Sequence, residues 1–204
     1  MRSYARDIVQ HGRRMADIIR DFTGVTARET SDQRQPVHLE RELDQAITAL
    51  TNSMDASGLT IERTYAGDTC VLALPDQLRQ AFTSLLMNAV QAMKGRGILR
   101  LSTSLTTTFI ETTIEDSGPG IPKQHLSKIF DPFFTTKGQG EGSGLGLTVA
   151  RRIIKKFGGD IRIESQEGSG TSCIVTLPVI PISPPTQEAS CTESTRSTPQ
   201  PSSS

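Results

Sequence analysis

The chain has 204 residues, enough for one domain with appendages, and its 22 Lys+Arg balance 22 Asp+Glu to a formal net charge of zero. That balance excludes a sequence-independent nucleic-acid binder, which needs a basic excess, and the lack of Trp with only 2 Tyr argues against a platform for stacking bases. No apolar run approaches the roughly 18 residues of a membrane span and no signal peptide opens the chain. Three scattered cysteines (Cys70, Cys173, Cys191) fit neither a disulfide framework nor a metal-binding pair, so a soluble, cytoplasmic segment with no nucleic-acid or membrane contact is the expectation.

Residues 1–28 read as a helix, because Tyr4, Ile8, His11, Met15, Ile18, Phe22 and Val25 recur at alternating spacings of four and three, a heptad seam. One such helix cannot bury its seam alone; it needs a partner helix, in this chain or in a second copy. Residues 29–36 read as a polar linker and 37–178 as a compact domain. The domain opens with a helix over 40–56, with Leu43, Ile47, Leu50 and Met54 on one side. Two short strands, 59–66 and 69–74, follow, joined by a turn at Gly67 and Asp68. A helix from Pro75 to about Met93 carries Leu78, Phe82, Leu85, Leu86 and Ala89 on one face, and Gly95-Arg96-Gly97 stops it. Strands at 98–105 and 108–115 form a hairpin, a helix runs from about Leu145 to Phe157, and strands 160–165 and 171–177 flank a glycine turn. Residues 179–204, rich in Ser, Thr, Pro and Gln, are expected to be disordered. Short hairpin links require antiparallel pairing, so the expected fold is an α/β two-layer sandwich: a mixed, mostly antiparallel sheet with helices on one face. No GxxxxGK[ST] occurs and no GxGxxG follows a first strand, which leaves P-loop and Rossmann readings weak.

The chemistry concentrates between Asp116 and Leu147. Gly118 and Gly120 let the backbone turn tightly and approach a planar ring. Gly142, Gly144 and Gly146 let amides point at phosphates where a helix begins, and a helix start favours negative charge. Asp116 ends a strand and can accept a hydrogen bond from an exocyclic amine. Together these features point to ATP.

The same residues resemble the ATP-binding catalytic domain of sensor histidine kinases, within the GHKL group of ATPases and kinases. SLLMNAVQAM is similar to the group's N box, DSGPGI to G1, FDPFFTTK to the F box, GSGLGL to G2, and GSGT ending at Thr171 to the last glycine box. The MKGRG and FDPFFTTK wording looks most like the nitrogen-regulation class of bacterial sensor kinases. The resemblance implies that Asn88 binds Mg²⁺ through its side-chain oxygen while the nucleotide supplies further oxygens. It implies that Asp116 recognises the adenine amino group, with Gly118, Gly120 and Ile121 shaping the pocket floor and Thr171 sharing in holding the base. Residues 131–146 would form a lid over the phosphates, with Gly138 and Gly140 among its glycines. Thr136 and Lys137 would meet the nucleotide, Lys137 by neutralising the γ-phosphate, and a plain surface lysine fits the same pattern. Phe130, Phe133 and Phe134 would anchor the lid to the domain and to the helix that donates the phosphoacceptor, and Gly144, Leu145, Gly146 and Leu147 would present amides to the phosphates. Lys94, at the helix end, fits either a phosphate contact or a solvated lysine.

Two departures from the family pattern stand out. Ser84 occupies a place that usually holds another Asn, and that holds a water-activating Glu in hydrolytic members; a serine cannot act as that base at neutral pH, so hydrolysis is disfavoured. No phosphoacceptor motif is visible either. His11 is followed by Gly12 and sits on the seam, and residues 8–22 resemble the second of two dimerisation helices. His38 and His125 read as surface residues. The resemblance therefore implies a kinase module that phosphorylates a histidine on an acceptor helix, in cis or in trans, for relay to a response regulator. A degenerate, non-catalytic nucleotide-binding or dimerisation module is the alternative.

Overall fold

A computed structural model describes residues 34–67, 69–137 and 142–180. The expected N-terminal helix with His11, most of the linker, Asp68, Gly138, Gly140 and the tail beyond residue 180 lie outside the described residues. The elements, in order, are β1 (Gln35–His38), α1 (Leu39–Ser53), β2 (Gly58–Thr64), β3 (Cys70–Ala73), α2 (Pro75–Ala92), β4 (Arg96–Leu105), β5 (Phe109–Asp116), α3 (Lys123–Leu126), α4 (Gly146–Lys156), β6 (Asp160–Gln166) and β7 (Gly170–Pro178).

Five strands form one sheet in the order β2-β4-β5-β7-β6. Its pairs are antiparallel except β2 with β4. Alternation divides its faces, with Ile174 of β7 buried on the otherwise polar side. Leu99, Leu101, Ile110, Ile114, Cys173, Val175, Leu177 and Ile161 are buried on one side. The other side carries polar residues such as Arg100, Glu115, Ser172 and Glu164, which lie in one cross-strand row.

Helices α1, α2 and α4 cover the apolar face. Central α2 packs against both of its neighbours and against β5. It starts on Pro75, whose missing N–H costs nothing in a first turn. Its buried stripe (Leu78, Ala81, Phe82, Leu85, Leu86, Ala89) follows helical spacing. Each large side chain on it contributes about 1.5–3 kcal/mol by leaving water. Between α1 and α2, the carboxylate of Glu42, only 5% exposed, takes the Arg79 guanidinium at 2.8 Å.

The expected two-layer sandwich is therefore present, and one expectation about its wiring is not met. Strands β2 and β3 do not pair as a hairpin. Strand β2 runs parallel to β4, from Gly58 opposite Arg96 to Thr64 opposite Ser102. Strand β3 instead pairs antiparallel with β1 in a separate two-stranded sheet. The link between β2 and β3 is held by other partners. The Ala66 N–H donates to Thr103 Oγ1 at 2.8 Å, the Glu40 carboxylate accepts from Thr69 N–H and Oγ1, and Leu39 N–H donates to the Thr69 carbonyl. A parallel pair needs a long crossover, and β3 with α2 supplies it.

The small sheet also moves both expected edges of the domain. Gln35 and Pro36, read as linker, form strand, and so does His38, whose Nδ1 lies 3.6 Å from Cys70 Sγ. At the other end, Val179 bridges Val71, and the Ile180 N–H donates to the Cys70 carbonyl at 3.0 Å. Among the described residues, no helix is long and apolar enough to cross a membrane.

Candidate functional site

Asp116 is the last residue of β5, opposite Leu99 on one side and Thr171 on the other, so it lies on the helix-facing side of the sheet. Its carboxylate accepts a hydrogen bond from the Gly118 N–H at 2.9 Å. Partial burial pushes its pKa above the ordinary carboxylate value, opposed by the backbone N–H groups of Gly118 and Thr171. The loop after it is shaped by glycines that no other residue could replace. Gly120 has φ +73°, and a Cβ there would stand 2.1 Å from the Gln166 carbonyl oxygen. Gly170 has φ +94°, and its Cβ would stand 2.1 Å from the carbonyl oxygen of Asp116.

A hydroxyl that the sequence did not single out ties this loop together. Ser165 Oγ accepts from the Ile121 N–H at 2.8 Å, donates to the Gly170 carbonyl at 2.9 Å, and lies 2.9 Å from Thr171 Oγ1. Ser117 closes the other side, its Oγ accepting from the Ile98 N–H at 2.9 Å.

The second half of the site is built on the C-terminal part of α2. Residues 88, 91 and 92 share one helix face, since positions three and four apart are neighbours. Each meets a different motif. A Cβ on Gly146 would lie 3.6 Å from Asn88 Nδ2 and 3.8 Å from Ser84 Cβ. Lys137 Nζ donates to Gln91 Oε1. A Cβ on Gly118 would lie 3.5 Å from Ala92 Cβ, one turn or ~6 Å along the axis from Asn88. The Asn88 carboxamide, the Asp116 loop, Lys137 and the start of α4 therefore surround one stretch of helix.

Helix α4 begins at Gly146 with Leu145 in the capping position and no side-chain cap. Its first amides are thus left for another acceptor. Leu145 is buried, and Leu147 packs on the core. The segment before α4 is held by its backbone. The Phe133 N–H donates to the Gly144 carbonyl at 2.9 Å, and both residues take positive φ, +66° and +69°. A Cβ on Gly144 would lie 2.5 Å from the Phe133 carbonyl carbon. A Cβ on Gly142 would be in ordinary contact with Lys137 Cδ at 3.5 Å.

Phe130 packs against the core, with the Arg151 guanidinium 4.6 Å from its ring centre and Thr148 Oγ1 donating to its carbonyl at 3.0 Å. Phe134 meets His125 at 5.6 Å between ring centres, so His125 is half-buried in a contact rather than a plain surface residue. Phe133 is 62% exposed and touches solvent rather than anchoring the segment to the domain. Thr136 is also exposed, and Lys94 lies beyond the helix end with φ +54°.

Among the described residues, no group of three His, Cys, Asp or Glu could hold a metal ion. A divalent ion beside Asn88 would take one oxygen from the protein and the rest from a phosphate ligand and water. That donor set suits Mg²⁺, which retains several waters and is commonly held between a protein oxygen and substrate phosphates.

The family model described as histidine kinase-, DNA gyrase B-, and HSP90-like ATPase matches residues 73–181. The chain is 37% identical over 153 residues to the sensor histidine kinase ZraS of Escherichia coli K12, covering 71% of this chain and 32% of ZraS. It is 34% identical over 143 residues to sporulation kinase C of Bacillus subtilis, covering 69% of this chain and 33% of that kinase. It thus spans about a third of the length of these curated relatives. Among solved structures, the mycobacterial sensor histidine kinase MprB is similar with a TM-score of 0.64 at 26% identity, covering 72% of this chain and 97% of that one. The catalytic domain of histidine kinase ThkA is similar with a TM-score of 0.64 at 28% identity, covering 72% of this chain and 95% of that one. A sheet backed by three helices, three segments gathered on one helix face, and a family match across residues 73–181 lead to one assignment: the chain belongs to the histidine kinase-, DNA gyrase B- and HSP90-like ATPases.

Proposed function

We propose that the domain of residues 35–180 is the ATP-binding catalytic module of a two-component sensor histidine kinase. The observation that carries this reading is the gathering of Asn88, Lys137, Gly118 and Gly146 along the last turns of α2. A triphosphate laid along that face spans from Asp116 at the strand end to the uncapped start of α4.

In this reading the base enters beside Asp116, whose carboxylate accepts from its amino group, over a floor formed by Gly118, Gly120 and Ile121. Thr171 borders the same edge. The amides of Gly144, Leu145, Gly146 and Leu147 meet the phosphates, as a helix start does for any anion. Asn88 would present its carboxamide oxygen to Mg²⁺, which would supply charge neutralisation for the phosphates. Lys137 leaves Gln91 to reach the terminal phosphate, with Thr136 beside it. Phe130, held by Arg151 and Thr148, fixes where this segment leaves the core.

The chain's contribution to phosphoryl transfer is positioning and charge neutralisation. The only acidic residue on α2 is Asp76, in its first turn, and Ser84 stands one turn before Asn88. Among the described residues of α2, no carboxylate stands beside Asn88 to activate water, which favours transfer to an imidazole over hydrolysis. The acceptor is a histidine on a helix in cis or in trans, and the phosphoryl group passes on to an aspartate of a response regulator. The heptad pattern of residues 1–28 supports pairing with a second helix, a homodimer included.

Mixing this chain with a protein carrying an intact acceptor helix and labelled ATP tests the reading. Label should move to the acceptor histidine, and less should do so with Asn88→Ala. A chain that binds Mg²⁺-ATP yet labels no acceptor is a non-catalytic nucleotide module instead.

A further inference from the structure

The hydrogen-bond arithmetic around Ser165 assigns it a task in choosing the base. A serine hydroxyl has one hydrogen and two lone pairs. Its three neighbours are the Ile121 N–H at 2.8 Å, the Gly170 carbonyl at 2.9 Å and Thr171 Oγ1 at 2.9 Å. The Ile121 amide can only donate and the Gly170 carbonyl can only accept, so these two consume one lone pair and the single hydrogen. One lone pair of Ser165 remains, and Thr171 is the only partner able to adapt. Every group is satisfied when the Thr171 hydroxyl donates to Ser165. Its hydrogen is then turned inward, and its lone pairs face the strand-end pocket beside Asp116.

We propose that Ser165 is a positioning residue that makes the pocket floor acceptor-only and so selects a 6-amino purine over a 6-oxo purine. The inference rests on the nucleotide reading above and deepens it. Asp116 offers carboxylate oxygens, and its register partner Thr171, on the same side of the sheet, offers a hydroxyl oxygen that has no hydrogen to give. An exocyclic amine brings hydrogens to both. A 6-oxo group brings lone pairs against lone pairs, and its binding leaves buried polar atoms unpaired, the kind of mismatch that produces strong rejection. Ser165 never touches the base; it acts by fixing the direction of one hydroxyl. The same bonds join the Ile121 loop to the β6–β7 turn, so a merely structural role must be separated from a directional one.

The separation comes from the ratio of two affinities rather than from either alone. Adenosine diphosphate and inosine diphosphate, which differ at the 6-position, are titrated into the full chain and its variants by calorimetry with Mg²⁺ present. The parent should prefer the adenine form by about a hundredfold or more. In Ser165→Ala the Thr171 hydroxyl is freed to donate outward, and the preference should shrink about tenfold, with inosine diphosphate bound no more weakly than by the parent. Ser165→Thr, which keeps the hydroxyl, should keep the preference. Thr171→Val should lose it to a similar degree, and adding Ser165→Ala to that variant should change the ratio no further. If Ser165→Ala fails to fold, Ser165→Cys reports the same ratio. Equal weakening of both nucleotides, or an unchanged ratio, overturns the assignment while leaving the nucleotide site intact. A parent that binds neither nucleotide overturns both.

Discussion

The two ends of the site are built by different means. At the strand end, Asp116, Ser165, Gly170 and Thr171 sit on paired strands of the five-stranded sheet, and every distance among them is set by β-ladder register. At the helix end, the described residues of 130–137 and 142–145 carry no helix or strand and are tied down by the ring of Phe130, the Phe133–Gly144 bond and Lys137 on Gln91. A ladder cannot shift one residue without moving every side chain to the other face. A tethered segment can rearrange when a ligand offers its groups better partners. In the proposed reading, the end that would recognise the base is preformed, and the end that would meet the phosphates is organised by the ligand.

The largest effect that would break this contrast lies at the ladder. Gly170→Ala forces a Cβ to 2.1 Å from the Asp116 carbonyl oxygen at φ +94°. It should cost at least about 3 kcal/mol, seen as a large fall in the thermal midpoint without ligand. An unchanged midpoint would mean the strand end is no more rigid than the segment.

Asp116→Asn comes next, and it should act on binding and stability with opposite signs. Losing a charge-assisted acceptor should weaken every adenine ligand, from adenosine to ATP, by about a hundredfold. Asn88→Ala should instead weaken Mg²⁺-ATP while leaving adenosine binding as it was. Equal losses across all ligands for both variants would erase the distinction between the ends.

The stability side of Asp116 follows from its raised pKa, caused first by burial. The folded state holds the proton more tightly than the unfolded chain does. The contribution to stability is therefore full below the unfolded pKa and is lost as pH rises through the higher folded value. At neutral pH the buried carboxylate is a net cost, so ligand-free Asp116→Asn should melt higher than the parent. Nucleotide affinity in the parent should move the other way, falling as acidification protonates the carboxylate. Parallel melting and binding curves against pH, flattened by the substitution, check both signs.

The smallest expected effect is at the tether. Arg151→Met removes a cation–π contact worth about 0.5–1 kcal/mol and should lower ATP affinity by about two- to fivefold with little change in melting. A large drop in melting would place Phe130 in the core's stability rather than in the positioning of the segment.

Much of this was legible in the amino-acid sequence because its signals are local. Helix α2 announces itself by Pro75 and the spacing of Leu78, Phe82, Leu85 and Leu86, and the glycine loops by their unusual density. What escaped was non-local. Strand β1 is four residues with a proline in it and acquires its identity only from β3 across the helix α1. Strand β2 is short and followed by turn residues, which reads as a hairpin. Its parallel partner β4 lies beyond a strand and a helix that no short-range pattern connects to it. Ser165 is one serine among many, and its meaning depends on three backbone segments meeting at one oxygen. Phe133 offers no hint of its positive φ, which arises from the bond to Gly144.

Everything turns on Asn88 and Asp116 serving one ligand. Calorimetric titration of the full chain with Mg²⁺ and a non-hydrolysable ATP analogue, repeated on Asn88→Ala and Asp116→Asn, measures this directly. Saturable one-to-one binding in the parent, weakened at least about tenfold by either substitution, is the predicted result. No binding by the parent, or binding that neither substitution disturbs, would contradict it.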